Sequence, residues 1–145
     1  MNQKTPYFMP HSVLFICGMN AVRSPIAEAL AHKFFPNIYV ASAGVVPGET
    51  DPFAVAVLQE EAVSIRHHHP RGLEELNDSF FDLIIALSPK AHTAVLEKTR
   101  TFSTRVEYWP IADPTIAIGS RTQILHAYRQ VREDLKQRIL ARFTP

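Results

Sequence analysis

The 145-residue chain contains 46% apolar and 20% charged residues, the composition of one globular domain with a substantial core. A formal net charge of +1 gives no support for a nucleic-acid-binding protein, and no segment approaches the roughly 20 apolar residues that cross a bilayer. The lone cysteine, Cys17, excludes an intramolecular disulfide and suits a reducing compartment. With no signal-peptide pattern at the N-terminus, these features predict a cytoplasmic protein.

Apolar periodicity and breaker residues predict alternating strands and helices after a loose N-terminal arm. The arm comprises residues 1–10, and residues 11–145 are expected to form a single domain. Strands are predicted over residues 12–16, 38–42, 81–87 and 105–109. Helices are predicted over about 25–35, 52 to 61–63, 71–76, 89–98 and 120–143, with Asp51 and Pro52 as cap and first residue of the second helix.

This alternation indicates an α/β fold, with helices on both faces of a doubly wound parallel sheet and right-handed crossovers. The run over 81–87 is the most apolar, so we expect a central strand that is covered on both faces. Ligands of such sheets bind at the carboxyl ends of the strands. Cys17, which follows the first predicted strand, and Asp113, just past the last one, both fall at that edge.

The most informative segment is VLFICGMNAVRSPIAEAL, residues 13–30, which runs from strand through tight loop to helix. Five residues separate Cys17 from Arg23, and Ser24 and Pro25 suit the cap and first turn of the helix. Backbone N–H groups at a helix N-terminus and a nearby arginine favour both an oxyanion and a thiolate. The pattern predicts a loop that binds phosphate and attacks it; the plainer interpretation makes Cys17 a small buried hydrophobe.

Three stretches together resemble the low-molecular-weight protein tyrosine phosphatases. CGMNAVRS resembles the family's phosphate loop, C-x-x-N-x-x-R-S, and Asp113-Pro114 matches its Asp-Pro pair. YVASAG, residues 39–44, is similar to the second strand and the Ser-Ala-Gly that ends it. The resemblance extends over residues 11–143 and implies a four-stranded sheet in the order 2-1-3-4. Thioredoxin-coupled arsenate reductases share this fold, so the fold alone does not decide the reaction.

The resemblance implies a role for each candidate residue. Cys17 would attack phosphorus and form a phosphocysteine, Arg23 would hold the equatorial oxygens, and Asp113 would act as general acid and then base. Asn20 would brace the loop, and Ser24 would donate to the sulfur or cap the helix. The expected substrate-binding residues are Gly18, Met19, Asn20, Ala21, Val22 and Ser24. The expected ligand is a phosphorylated small molecule or protein, or another oxyanion; no metal, cofactor, nucleic acid or membrane is expected.

Four departures from the family pattern leave the residues expected to bind phosphate intact. Met19 stands where the family usually has Gly, so it should narrow the mouth of the loop. Val22 replaces a second family cysteine that can pair with the nucleophile. Thr115 and Ile116 stand where many relatives have an aromatic pair, and residues 45–50 lack the aromatic that often forms the other wall of the phenyl-ring slot. We therefore expect phosphoryl chemistry on a substrate that the sequence does not identify.

Two other functions stay open on the sequence. In a single-cysteine arsenate reductase, Cys17 would attack arsenate and an external thiol would finish the reduction, because the chain has no further cysteine to relay through. A non-catalytic anion-binding domain would need neither the thiol nor Asp113, which also suits an ordinary Asp-Pro turn. The sequence leaves the oligomeric state open.

Three features outside the motifs have simple interpretations. The run His67–His69 could supply metal ligands, but consecutive residues converge poorly on one ion, so a loop is predicted. Trp109 is expected to pack at the end of a strand. Basic residues crowd the last helix, and we interpret them as a solvated face rather than a docking patch for an acidic partner; they are Arg121, Arg129, Arg132, Lys136, Arg138 and Arg142.

Overall fold

A computed structural model describes residues 8–65, 67–76, 80–99 and 104–145. Within these residues, one parallel sheet contains β1 (Ser12–Cys17), β2 (Tyr39–Gly44), β3 (Leu83–Ala86) and β4 (Arg105–Tyr108) in the order β2-β1-β3-β4. The helices are α1 (Arg23–Phe34), α2 (Pro52–Gln59), α3 (Pro89–Thr99) and α4 (Arg121–Phe143), with short 3₁₀ turns at Leu73–Leu76 and Pro114–Ile116. The predicted doubly wound fold and its strand order are confirmed.

The central strands β1 and β3 are covered on both faces, as predicted for the run 81–87. Successive strand residues point to opposite faces of a sheet, so β1 contributes to two cores. Val13, Phe15 and Cys17 join the core that holds buried residues of α1, α2 and α4. Leu14 and Ile16 join the core on the α3 face. Cys17 therefore lies on the face that α1 and α4 cover.

Three predicted helix boundaries are wrong for local reasons, and the central strand predicted over 81–87 is shorter, Leu83–Ala86. Helix α1 begins at Arg23, with Val22 at the N-cap position and no side-chain cap, so Ser24 is not the cap. Helix α2 ends at Gln59 rather than 61–63, because Ala62 adopts the left-handed conformation (φ 59°) and terminates the run. The helix predicted over 71–76 is only the turn Leu73–Leu76, since Gly72 pairs with Gly44 as an isolated β-bridge.

Residues 8–10 of the predicted loose arm lie against the domain, which corrects that part of the prediction. Phe8 and Met9 pack on the main core, and Pro10 is buried. Arg142 of α4 donates to the Phe8 carbonyl at 2.8 Å. The rest of the arm, residues 1–7, lies outside the described residues.

In the part of the chain that the structure describes, no helix is both long enough and apolar enough to cross a membrane.

Candidate active site

The Cys17–Arg23 segment, here called the cysteine loop, lies at the carboxyl edge of the sheet. It joins the end of β1 to the start of α1 and runs directly over the end of β2. A Cβ added at Gly44 would lie 2.5 Å from the Met19 carbonyl carbon and 2.6 Å from the Asn20 nitrogen. Only glycine leaves room for this close approach, which explains why β2 ends in Ser-Ala-Gly.

The carbonyl groups of the cysteine loop turn toward the loop between β2 and α2. The Cys17, Gly18 and Met19 carbonyls accept from Val45, Val46 and Gly48 N–H groups at 3.0, 3.1 and 2.7 Å. Among the described residues, no backbone N–H from Gly18 to Val22 donates to a backbone carbonyl. These N–H groups are thus available to an anion, as in other helix N-terminal anion sites.

Asn20 is the brace of the cysteine loop. Its backbone is left-handed (φ 56°), its side chain is fully buried, and its amide NH₂ donates to Ser24 Oγ at 3.0 Å and Ser42 Oγ at 2.9 Å. Its Oδ1 accepts from the Arg71 N–H at 3.0 Å. An asparagine tolerates this conformation better than most residues, and three hydrogen bonds hold it there. The geometry agrees with the bracing role implied by the resemblance.

Ser24 sits beside the sulfur rather than at the helix cap. Its Oγ lies 3.0 Å from Cys17 Sγ and 3.2 Å from the Ala43 carbonyl oxygen. Ser24 is fully buried, and Cys17 is only 3% exposed at the base of the loop. The Ser24 hydroxyl can therefore donate to the sulfur when the sulfur is anionic, and Asn20 holds it in place.

The remaining residues of the cysteine loop lie either toward solvent or in the main core. A Cβ at Gly18 would meet nothing within 4 Å, so this residue borders open space. Met19 is 54% exposed, and Ala21 is half-buried. The Val22 side chain is buried in the main core, so only its backbone faces the loop.

Arg23 connects the cysteine loop to the segment between β4 and α4, residues 109–120, here called the aspartate loop. Its Nη1 donates to the Ile111 carbonyl at 3.0 Å. The rest of its planar fork makes no hydrogen bond to any described residue, which leaves donors that can grip an oxyanion. The contact brings the two halves of the predicted site, 90 residues apart in the chain, to one place.

Asp113 is held as an anion on the aspartate loop. Its Oδ1 accepts from the Thr115 N–H at 3.0 Å and from Thr115 Oγ1 at 2.6 Å, which caps the turn Pro114–Ile116. Partial burial raises the pKa of Asp113, but both Thr115 hydrogen bonds and the Arg23 charge lower it, and the net pKa is below its usual value. The protonated form that a general acid needs is therefore favoured only at acidic pH.

Several residues to which the sequence gave no role at the site support the cysteine loop. His68 lies 3.1 Å from the Asn20 carbonyl through Nε2, and Arg71 Nε donates to the Ser42 carbonyl at 3.1 Å. Ser42 in turn donates to Glu28 of α1. These contacts join residues 14 to 48 positions apart, so no local pattern could have revealed them.

The His67–His69 run lies in a loop, as predicted, and His68 supports the cysteine loop there. Over the described ranges, no three His, Cys, Asp or Glu side chains are grouped so that they could hold a metal ion. Trp109 packs at the strand end as predicted: it is 8% exposed, and its ring lies 6.1 Å from that of Phe15.

The loops at the carboxyl edge of the sheet expose aliphatic side chains, which are here called the mouth of the site. Exposed apolar side chains belong to the three loops that follow β1, β2 and β4: Met19, Val46, Ile116 and Ile118, which are 49–89% exposed. Met19 lies over Gly48, where an added Cβ would come within 2.9 Å of Met19 Cβ and 3.0 Å of its Cε. Met19 therefore lies against the β2–α2 loop, its narrowing of the mouth stays a prediction, and no aromatic ring is among these four side chains.

A parallel sheet of this order, with a cysteine–arginine loop after β1 and an Asp-Pro loop after β4, defines a cysteine-phosphatase type of protein. Residues 12–143 match the family described as low molecular weight phosphotyrosine protein phosphatase. The chain belongs to this family, as the sequence predicted.

Individual relatives agree with this assignment. The chain is 35% identical over 91 residues to the low molecular weight protein-tyrosine-phosphatase Wzb of Salmonella typhi, a match covering 61% of this chain and 60% of Wzb. It is 27% identical to a glutaredoxin arsenate reductase of Synechocystis, over 88% of this chain and 92% of that one. The solved structure of the Erwinia amylovora tyrosine phosphatase amsI is 28% identical and superposes with a TM-score of 0.73, covering 97% of each chain.

Proposed function

We propose that this protein hydrolyses phosphomonoesters through a phosphocysteine intermediate, and that residues 11–145 form its single catalytic domain. One observation carries the proposal: Cys17 Sγ lies 3.0 Å from the Ser24 hydroxyl, beneath a loop whose N–H groups from Gly18 to Val22 donate to no backbone carbonyl of the described residues. An anion-binding domain would gain nothing from a buried thiol supplied with its own hydrogen-bond donor. The thiol and its donor therefore favour a catalyst over a binding module.

In the first half of the cycle, the Cys17 thiolate attacks phosphorus and the bond to the leaving oxygen breaks. Arg23 and the loop N–H groups stabilise the equatorial oxygens as charge shifts onto them. Protonated Asp113 gives its proton to the leaving oxygen. The products are the free alcohol or phenol, a phosphocysteine and an ionised Asp113.

In the second half, water attacks the phosphocysteine and the S–P bond breaks. The Asp113 carboxylate accepts a proton from that water, so the acid is restored for the next cycle. The Ser24 hydroxyl donates to the departing sulfur and eases its exit as a thiolate. Cys17, Arg23 and Asp113 complete the cycle without a cofactor. A thiolate nucleophile requires a reducing environment, which supports a cytoplasmic location.

The aliphatic mouth argues against phosphotyrosyl peptides as preferred substrates. Stacking of two aromatic rings adds about 0.5–1.5 kcal/mol to the binding free energy beyond simple burial. None of the four exposed apolar residues at the mouth has an aromatic ring that could stack on a phosphotyrosine. The binding of a small aryl phosphate depends more on the contacts to its phosphate group than on aromatic side chains around its ring. We therefore expect them to be better substrates than phosphotyrosyl peptides.

A second candidate is thiol-dependent arsenate reduction. The similarity to the Synechocystis arsenate reductase over most of the chain favours it, together with the lack of a second cysteine. In this reaction Cys17 would displace water from arsenate. External thiols would then supply two electrons, releasing arsenite and forming a disulfide between them.

One paired assay separates these functions. Purified protein is offered phenyl phosphate at mildly acidic pH and, separately, arsenate with glutathione and glutaredoxin. We expect phosphate release that falls by at least about 1000-fold in Cys17→Ser, since a hydroxyl does not ionise at that pH, while inorganic phosphate still binds. Arsenite production without phosphate release would establish the reductase instead. Binding of phosphate with neither turnover would leave only the anion-binding function.

A further inference from the structure

Thr115 makes two hydrogen bonds to a single oxygen of the carboxylate proposed as general acid. Its N–H and its hydroxyl both donate to Asp113 Oδ1, at 3.0 and 2.6 Å. An oxygen that already accepts two donors is a poor place for a proton. The proton that Asp113 transfers must therefore reside on Oδ2.

Thr115 stands where many members of the family that this chain resembles have an aromatic residue. An aromatic side chain at this position could not make the hydroxyl contact to Asp113. A phenylalanine has no donor, and a tyrosine places its hydroxyl at the far end of a rigid ring, too distant to fold back onto a carboxylate two residues earlier. A short β-branched side chain can make the contact because its hydroxyl sits on Cβ. The 2.6 Å distance is typical of a strong hydrogen bond to an anion.

Other charged and titratable groups lie around Asp113. Arg23, at the start of α1, favours the carboxylate. On the α4 side, Tyr128 donates to Asp51 at 2.7 Å; burial, the hydrogen bond to Asp51 and the negative charges of Asp51 and Asp113 together raise the pKa of Tyr128 above its usual value. Asp134 of α4 lines the same groove as Asp113, and its carboxylate is paired with Arg138 at 2.8 Å. Thr115 is the group that touches the carboxylate directly.

We infer that Thr115 is a positioning residue that fixes Asp113 with Oδ2 as its proton-carrying oxygen and restricts proton donation to acidic pH. This inference rests on the proposed function for its catalytic consequence, but not for the hydrogen bonds themselves. Without the hydroxyl, the carboxylate loses one of its two local donors. Asp113 then keeps its proton to higher pH, and the range over which it can act as an acid widens upward.

The test compares Thr115→Val, which removes only the hydroxyl at nearly constant shape, with Thr115→Ser, which keeps it. The first readout is the pH dependence of kcat/KM for phenyl phosphate, whose leaving group needs a proton. We expect the alkaline limb to move upward by roughly 0.5–1 pH unit in Thr115→Val and to stay near the wild-type position in Thr115→Ser. Circular dichroism checks the fold, which this exposed side chain is not expected to affect.

The second readout needs no activity: carbon NMR titration of the Asp113 carboxyl group in the wild type and Thr115→Val. An upward shift of its titration in the variant supports the inference even if the wild type releases no phosphate, in which case only the proposed function fails. A titration that does not move overturns the inference. If the Asp113 titration moves but the alkaline limb of kcat/KM stays fixed, the inferred effect of Thr115 on catalysis is overturned, because the protonation of Asp113 then does not limit the reaction.

Discussion

In the mechanism proposed above, Arg23 has two tasks that a single donor could not perform together. One nitrogen of its guanidinium holds the Ile111 carbonyl at 3.0 Å and so keeps the aspartate loop beside the cysteine loop. The rest of the planar fork stays available to two oxygens of a phosphoryl group. Positioning of the acid and stabilisation of the transferred group are thus joined in one side chain.

For this reason Arg23→Lys should be nearly as damaging as Arg23→Ala. A lysine has one nitrogen, which can satisfy either the Ile111 carbonyl or the phosphate oxygens, and it cannot grip two oxygens in a plane. We expect kcat/KM for phenyl phosphate to fall about 100-fold or more in both variants. Arg121→Lys, an exposed arginine at the start of α4, is the matched control and should stay close to wild type. Full activity in the Arg23→Lys variant would show that charge alone suffices.

The chemical identity of the key residues could be predicted from the sequence, but most of their hydrogen-bond partners could not. Cys17, Arg23 and Asp113 each belong to a short motif whose residue types suggest a chemistry. Ser24 was expected either to donate to the sulfur, as the resemblance implied, or to cap the helix, because Ser-Pro before a helix is a typical start signal. In the folded chain its hydroxyl meets Cys17, as the first alternative required, and also Asn20 and Ala43, which were not anticipated. Partners that lie 19 positions away depend on how β1 and β2 pair, which periodicity does not specify.

At the scale of elements, the shape of the cysteine loop is set by its neighbours on β2 and the β2–α2 loop. Gly44 leaves room for the loop backbone, and the residues after it receive the loop carbonyls. Apolar patterns placed the four strands and the four α-helices correctly along the chain, but not their ends, which local backbone conformation decided, as Ala62 does for α2. Access to the site, by contrast, depends on single side chains that periodicity does not address. Met19 lies against Gly48, and we predict that it covers part of the mouth.

Met19→Ala should open this mouth without adding the backbone freedom of a glycine. We expect kcat/KM for the bulky naphthyl phosphate to rise several-fold relative to phenyl phosphate, because the thioether chain no longer occupies the approach over Gly48. Leu96→Ala, an equally exposed apolar residue on α3, should leave the ratio unchanged. An unchanged ratio in Met19→Ala would mean that Met19 does not limit access to the site.

Over the whole molecule, the basic face of α4 is largely paired within the chain. Arg129 and Arg132 both bind Glu60 at the end of α2, each at 2.7 Å, and Lys136 binds Glu61 at 3.0 Å. The face was predicted to be merely solvated; it instead helps to attach α4 to α2. Such pairing joins elements about 70 residues apart, so it depends on the tertiary fold and left no trace in the sequence pattern.

The Glu60 cluster predicts how stability changes with pH. Hydrogen bonds from Arg129 and Arg132 lower the pKa of Glu60 from 4.5 to about 2. Because the folded-state pKa is the lower one, the stabilisation is complete above pH 4.5 and is lost as the pH falls toward 2. Glu60 is 39% exposed, so solvent screening keeps the effect small.

Glu60→Gln should therefore lower Tm at pH 7 by only about 1–2 °C, and the difference from wild type should shrink as the pH approaches 2. Thermal unfolding followed by circular dichroism between pH 7 and the lowest pH at which the fold survives measures both values. Glu97→Gln, an exposed glutamate on α3, is the control and should show no such convergence. A Tm difference that is constant over this range would mean that Glu60 acts through packing at the end of α2 and not through its charge.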